Sequence, residues 1–153
     1  MTSEIRRIAV PTDFSPESEK AIVYAAALAR RMGSAVYLVN VLKDPGGYHE
    51  ARERLARLAS RLAIGTRRVA LDVRTGEPAE GIAEAAERYG VDLVVMATHG
   101  RTGVSRVVSG SVAEDVIRRA ECPVLVLRGS GTIRFHRPAP VPEFESRPIE
   151  GAA

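Results

Sequence analysis

Leu93-Val94-Val95-Met96-Ala97 is an unbroken apolar run, followed by a polar, glycine-rich stretch from Thr98 to Ser109 and then by Gly110-Ser111-Val112-Ala113-Glu114. A short run with no alternation reads as a strand covered on both faces. Ser111 with Glu114 three residues later fits the box that caps a helix start. The stretch is thus a buried strand, a loop and a helix. It decides the fold class because the same unit recurs along the chain.

Upstream, Ile5 to Val10 is a second β-branched run, broken by Pro11. Ser15-Pro16 supplies an N-cap and a proline at the first helical position. Glu17 and Glu19 fall in the first turn, where the helix dipole favours them. Ile22, Ala25, Leu28, Ala29 and Met32 follow at helical spacing as the expected inward face, and Gly33 stops the helix. Ala35 to Leu42 predicts a strand and Pro45-Gly46-Gly47 a turn. Ala51, Leu55, Leu58 and Leu62 then form one face of a second helix, closed by Gly65. Arg68 to Val73 alternates as an edge strand does. Gly76-Glu77-Pro78 opens a third helix with Ile82, Ala85, Ala86 and Tyr89 inward, and Gly90 closes it. The fourth helix, from Ser111, is expected to bury Val112, Val116, Ile117 and Ala120. Pro123 to Leu127 is the last strand.

Strict alternation of short apolar strands with helices implies an α/β fold: an open parallel sheet with helices on both faces. Ligands of such sheets bind outside the carboxyl ends of the strands, where strand order reverses. That singles out three loops: Pro11–Ser15, Val41–Asp44 and Ala97–Ser111.

A length of 153 residues suggests one domain at about 150 residues per domain. The longest apolar stretch, Ala21 to Ala29, ends at Arg30-Arg31 and is short of the roughly 18 residues a membrane span needs. No apolar region at the start marks a signal peptide. The expectation is a protein of the cytoplasm with no membrane partner, and the single cysteine, Cys122, excludes an internal disulfide framework. Net charge is +3, and twenty of the 22 basic residues are Arg. Arg52, Arg54, Arg57 and Arg61 are interleaved with Glu50 and Glu53, the look of a solvated helix face. No basic run carries aromatics for base stacking, so no nucleic-acid partner is expected. His49, His136 and Cys122 lack metal-ligand spacing.

The stretch from Ala97 to Ser111 carries the chemistry. A helix N-terminus presents free backbone N–H groups and a positive dipole end, which suit phosphate. Gly110 leaves the approach to that backbone open. Ser111 has a hydroxyl for the phosphate or for the cap, and Gly100 and Gly103 allow a tight turn beneath it.

This loop resembles the nucleotide loop of the universal stress protein family: a small residue, two residues, Gly, nine residues, then Gly-Ser/Thr. Ala97, Gly100, Gly110 and Ser111 fall on those positions. Val10-Pro11-Thr12-Asp13-Phe14-Ser15 and the closing segment Glu121 to Arg128 are similar to the family as well. The resemblance spans residues 4–128, so 1–128 is expected to be a universal stress protein domain and 129–153 a proline-rich C-terminal tail. It implies a Rossmann-like sheet of the adenine nucleotide alpha hydrolase-like kind, with strand order 3-2-1-4-5.

Carried over by position, the resemblance implies a cofactor of ATP, with ADP or AMP as alternatives, and Mg2+. Pro11, Thr12 and Asp13 would line the adenosine side. Asp13 would hold the ribose or a metal on the phosphates, or instead cap the first helix or bind loop amides. Val41 would offer its backbone to adenine, with Met96 and Ala97 bordering adenine and ribose. Gly100, Arg101, Gly103, Gly110, Ser111 and Val112 would surround the phosphates, Arg101 through its bidentate fork. His99 reads as a loop hydrogen-bonding residue and Cys122 as packing; no catalytic residue is assigned.

Three functions follow. The first is an ATP-binding regulatory module of the stress response, dimeric through its last strand. The second is a slow ATP hydrolase, opposed by the lack of a GxxxxGK[ST] loop and of paired carboxylates. The third is a nucleotide-free dimeric interaction protein, favoured by Ala97, which stands where ATP-binding family members usually have Gly.

Overall fold

The computed structural model describes residues 4–98 and 111–128. Five strands alternate with four helices: β1 (Arg7–Pro11), α1 (Pro16–Met32), β2 (Ala35–Leu42), α2 (Tyr48–Arg61), β3 (Val69–Thr75), α3 (Pro78–Arg88), β4 (Leu93–Ala97), α4 (Ser111–Arg119) and β5 (Val124–Leu127). The strands form one sheet in the order β3-β2-β1-β4-β5, with every neighbouring pair parallel. The α/β class and the strand order agree with the reading of the sequence. Between β1 and β4 the order reverses, so the crevice at their carboxyl ends is the switch point.

Alternation along each strand sends successive side chains to opposite faces. Ile8, Val10, Leu38 and Val95 pack on one face against Ala21, Ile22 and Ala25 of α1 and Leu55 of α2. Ala9, Val94 and Met96 pack on the other against Ile82 and Ala86 of α3 and Ala113 and Val116 of α4. This explains the unbroken apolar run of β4: both of its faces are covered. Leu55 is fully buried, a burial worth about 1.5–3 kcal/mol. The caps follow the sequence: Ser15 accepts the Ser18 N–H at 3.2 Å, and Gly33 closes α1 at φ 72°.

Several boundaries and faces differ from expectation. β1 begins at Arg7 rather than Ile5 and takes in Pro11. α2 ends at Arg61, ahead of Gly65, because Leu62 turns extended and packs on the core. In α4 the inward stripe is Ala113, Val116 and Ala120. Val112 (36% exposed) and Ile117 (53%) lie on the two flanks of that stripe and are exposed. Met32 is also exposed, since it sits in the last turn of α1, where Gly33 already turns the chain. Cys122 is half-buried and free. The proline-rich segment 129–153 lies outside the described residues.

Candidate functional site: a cleft at the switch point

A cleft of about 340 Å³ opens at the carboxyl ends of the strands, a size suited to a small ligand. Pro11, Thr12 and Asp13 enter it from the end of β1, Val39 to Val41 from β2, and Met96 and Ala97 from β4. Pro78 and Ile82 of α3 close one side. Val112 and Ala113, the second and third residues of α4, close another. The start of α4 therefore opens on the same cavity as Asp13.

The β1–α1 connection is held by its own hydrogen bonds. The Thr12 N–H donates to the Val39 carbonyl at 2.8 Å, and the Thr12 carbonyl accepts from Asn40 Nδ2 at 2.7 Å. Thr12 Oγ1 accepts the Phe14 N–H at 2.9 Å and lies 2.8 Å from Ser18 Oγ. Ser18 Oγ also lies 2.9 Å from the Ser15 carbonyl, to which it can donate. Either hydroxyl can be the donor in the Thr12–Ser18 pair. Thr12 lines the cleft, as expected, but its polar groups are spent on shaping the loop.

Phe14 adopts φ 64°, the one non-glycine residue in the left-handed region among those described. That region is costly for a bulky side chain and is held only where the surroundings over-determine it. Here the Thr12 bond fixes the Phe14 amide, and the Arg54 guanidinium lies 4.1 Å from the Phe14 ring centroid. The next residue, Ser15, donates its N–H to Asp13 Oδ1 at 2.9 Å. Of the roles open to Asp13 in the sequence, binding a loop amide is thus realised. Partial burial pushes its carboxyl up, but hydrogen bonds from Ser15 and Ser18 outweigh this and hold it below the ordinary carboxylate range.

The two walls carry opposite polarity. Asp13 and Glu17 bring carboxylates to the α1 side, and no Lys or Arg lines the cleft among the described residues. Positive potential comes from the α4 side, through the backbone N–H groups of a helix start. The remaining surface is apolar: Val41, Ile82, Met96 and Ala97. Asn40 is 5% exposed, and its Oδ1 has no hydrogen-bond partner among the described residues. No group of three His, Cys, Asp or Glu able to hold a metal occurs among the described residues. One carboxylate such as Asp13 suffices for Mg2+ only if phosphates complete the shell.

Seven residues singled out in the sequence line this one cleft: Pro11, Thr12, Asp13, Val41, Met96, Ala97 and Val112. Ser111 opens α4, and its side chain is outside the described set. Gly100, Arg101, Gly103 and Gly110, with His99 and Arg106, lie outside the described residues. Sequence reasoning passed over Asn40, Ser18 and Ile82. Asn40 had a signal: it is the one amide in the apolar strand Ala35–Leu42.

Comparison with known proteins gives the frame for this geometry. Residues 4–128 match the model of the universal stress protein family. The chain belongs to that family. Similar universal stress proteins include MJ0531 of Methanocaldococcus jannaschii, 33% identical over 144 residues (80% of this chain, 82% of the relative). Universal stress protein G of Shigella flexneri is 34% identical over 142 residues, covering 80% of this chain and 99% of the relative. Among solved structures, MJ0577 superposes with a TM-score of 0.71 at 27% identity, over 84% of this chain and 99% of the other. The universal stress protein from Archaeoglobus fulgidus in complex with dAMP superposes with a TM-score of 0.60 at 29% identity, over 80% of this chain and 98% of the other. Among the described residues of this universal stress protein no helix is long and apolar enough to cross a membrane.

Proposed function

We propose that this chain is a regulatory module of the stress response that binds ATP, or another adenine nucleotide, in the switch-point cleft. One observation carries the reading: the first turn of α4, at Val112 and Ala113, faces the same cavity as Asp13 and Val41. A nucleotide laid across it would set its phosphates against the α4 amides. Its sugar would lie by the Asp13 carboxylate and its base among Val41, Ile82 and Met96. Asp13 would hold a ribose hydroxyl or, through the phosphates, Mg2+, whose contribution would be to neutralise phosphate charge. The Archaeoglobus fulgidus relative solved with dAMP supports the adenine nucleotide class. The reading assigns no catalytic residue.

The module acts as a homodimer through β5 in the cytoplasm. In support, β5 is a sheet edge whose four residues are all half-buried, and exposed edges invite a second strand. A free Cys122 suits a reducing compartment.

Mass spectrometry of ligand released from purified protein, with calorimetry against ATP, ADP and AMP, tests the assignment. Binding of at least one is expected. No binding at millimolar nucleotide overturns it and leaves the nucleotide-free interaction protein. Sedimentation at micromolar concentration tests the dimer, and a monomer there rejects it.

A further inference from the structure

Gly81 stands within α3, a place where glycine is less favourable than alanine by about 0.5–1 kcal/mol. Its backbone is ordinary helix and its N–H donates to the Glu77 carbonyl at 3.0 Å, so no left-handed turn calls for glycine here. The reason lies across the interface. A Cβ at Gly81 would stand 2.9 Å from Val41 Cγ2, closer than real Cβ contacts come, and 3.1 Å from Cγ1, tighter than most. Val41 lines the cleft. Its side chain is β-branched and stiff at χ1, so an added methyl is relieved only by a shift of Val41 as a whole.

Nor is there room beside it. On β3 the register partner of Val41 is Arg74, and paired residues share a face. Arg74 is only 16% exposed, bound to Asp72 at 2.7 Å and to Glu84 at 3.2 Å. With α3 on one side and Arg74 pinned on another, the open side of Val41 is the cleft.

Resting on the nucleotide reading above, we propose that Gly81 is a specificity-determining position. Without touching the ligand, it lets Val41 recede beneath α3 and so sets the width of the cleft where a purine base lies. A side chain at position 81 advances Val41 into that space and closes the site to a bicyclic base.

A cycle of variants tests this. Gly81→Ala should still fold, with a melting temperature unchanged or lowered, since crowding against Val41 costs at least as much as the better helix former returns. It should bind ATP at least about tenfold more weakly, in line with the cost of one extra methyl in a packed site. In a Val41→Ala background the same change should cost less than about threefold, because the methyls it would strike are gone. An equal loss in both backgrounds means a general distortion of α3 and overturns the proposal. A second measurement needs no nucleotide. In methyl NMR spectra of the ligand-free protein, Gly81→Ala should shift the Val41 γ-methyls and bring them nearer the Met96 methyl. Unmoved Val41 methyls overturn the inference whatever the titrations give. Absence of ATP binding by the unaltered chain, with shifted methyls, overturns the nucleotide reading and the purine specificity built on it, leaving only the packing.

Discussion

The two walls of the cleft are made by different physics. On the α1 side, side chains hold the backbone: Asn40 and Ser18 bind Thr12, Thr12 binds Phe14, and Asp13 binds Ser15. On the α4 side the exposed surface is a helix start with Val112 and Ala113 at its first turn. The first wall carries carboxylates and fixes its backbone through its own side chains. The second presents the start of a helix, whose first turn has backbone N–H groups without intrahelical partners. Under the proposed function, the first wall would face sugar and cation and the second the phosphates.

The comparison can be broken most forcefully at Thr12. Thr12→Val keeps the shape but strands the part-buried Phe14 N–H and removes one of the partners of the Ser18 hydroxyl. The expected loss is about 1–3 kcal/mol, seen as a fall in melting temperature of roughly 3–10 °C. A change within error would mean that the α1 wall is not held by this network.

Val112→Glu probes the other wall. A carboxylate in the first turn favours the helix dipole, so stability should hold or rise slightly. ATP binding should weaken by about tenfold or more through repulsion of phosphate. Opposite signs for stability and affinity are the signature sought. Undiminished affinity by calorimetry would place the phosphates elsewhere.

Asp13→Asn sharpens the electrostatic contrast. The Asp13 carboxyl is held below its usual value of 3.8 in the folded chain. A group with a depressed folded value adds stability above its unfolded value, and this is lost as pH falls through the folded one. Urea titrations should therefore show the unaltered chain ahead of the variant at pH 7, with the gap closing towards pH 3. A gap of the same size at both pH values would show that the charge contributes nothing.

The smallest effect is expected at Arg54. Arg54→Met removes the cation from the Phe14 ring and should cost about 0.5–1 kcal/mol. Because Phe14 follows Asp13, proteolysis of the 12–15 loop should also quicken. No change in either would leave the left-handed Phe14 to its hydrogen bond alone.

Much of this was legible along the chain. Ser15, Pro16 and Gly33 bound α1 as their capping chemistry requires, and the apolar run Leu93–Ala97 is covered on both faces. Each of the three loops at the strand ends contributes to one cleft, through Pro11, Thr12, Asp13 and Ser15, through Val41, and through Ala97 and Thr98. The inward face of α4 was harder. Val112 and Ile117 are apolar at helical spacing, yet the smaller Ala113 lies on the buried stripe. Hydrophobicity marks which residues are able to be buried, whereas the neighbouring α3 decides which ones are. Asn40 and Gly81 escaped for a related reason: their partners, Thr12 and Val41, are distant in sequence and meet them only through packing.

By itself the amino-acid order determined the sequence of strands and helices, their caps and the strand ends that face a ligand. These depend on periodicity and on backbone preferences within a few residues. Tertiary structure alone decided the pairing of Thr12 with Asn40, the left-handed Phe14 beneath Arg54, and the close fit of Gly81 on Val41. Each depends on strand register and helix placement to within an ångström, and short-range contacts of that kind have no local pattern to announce them.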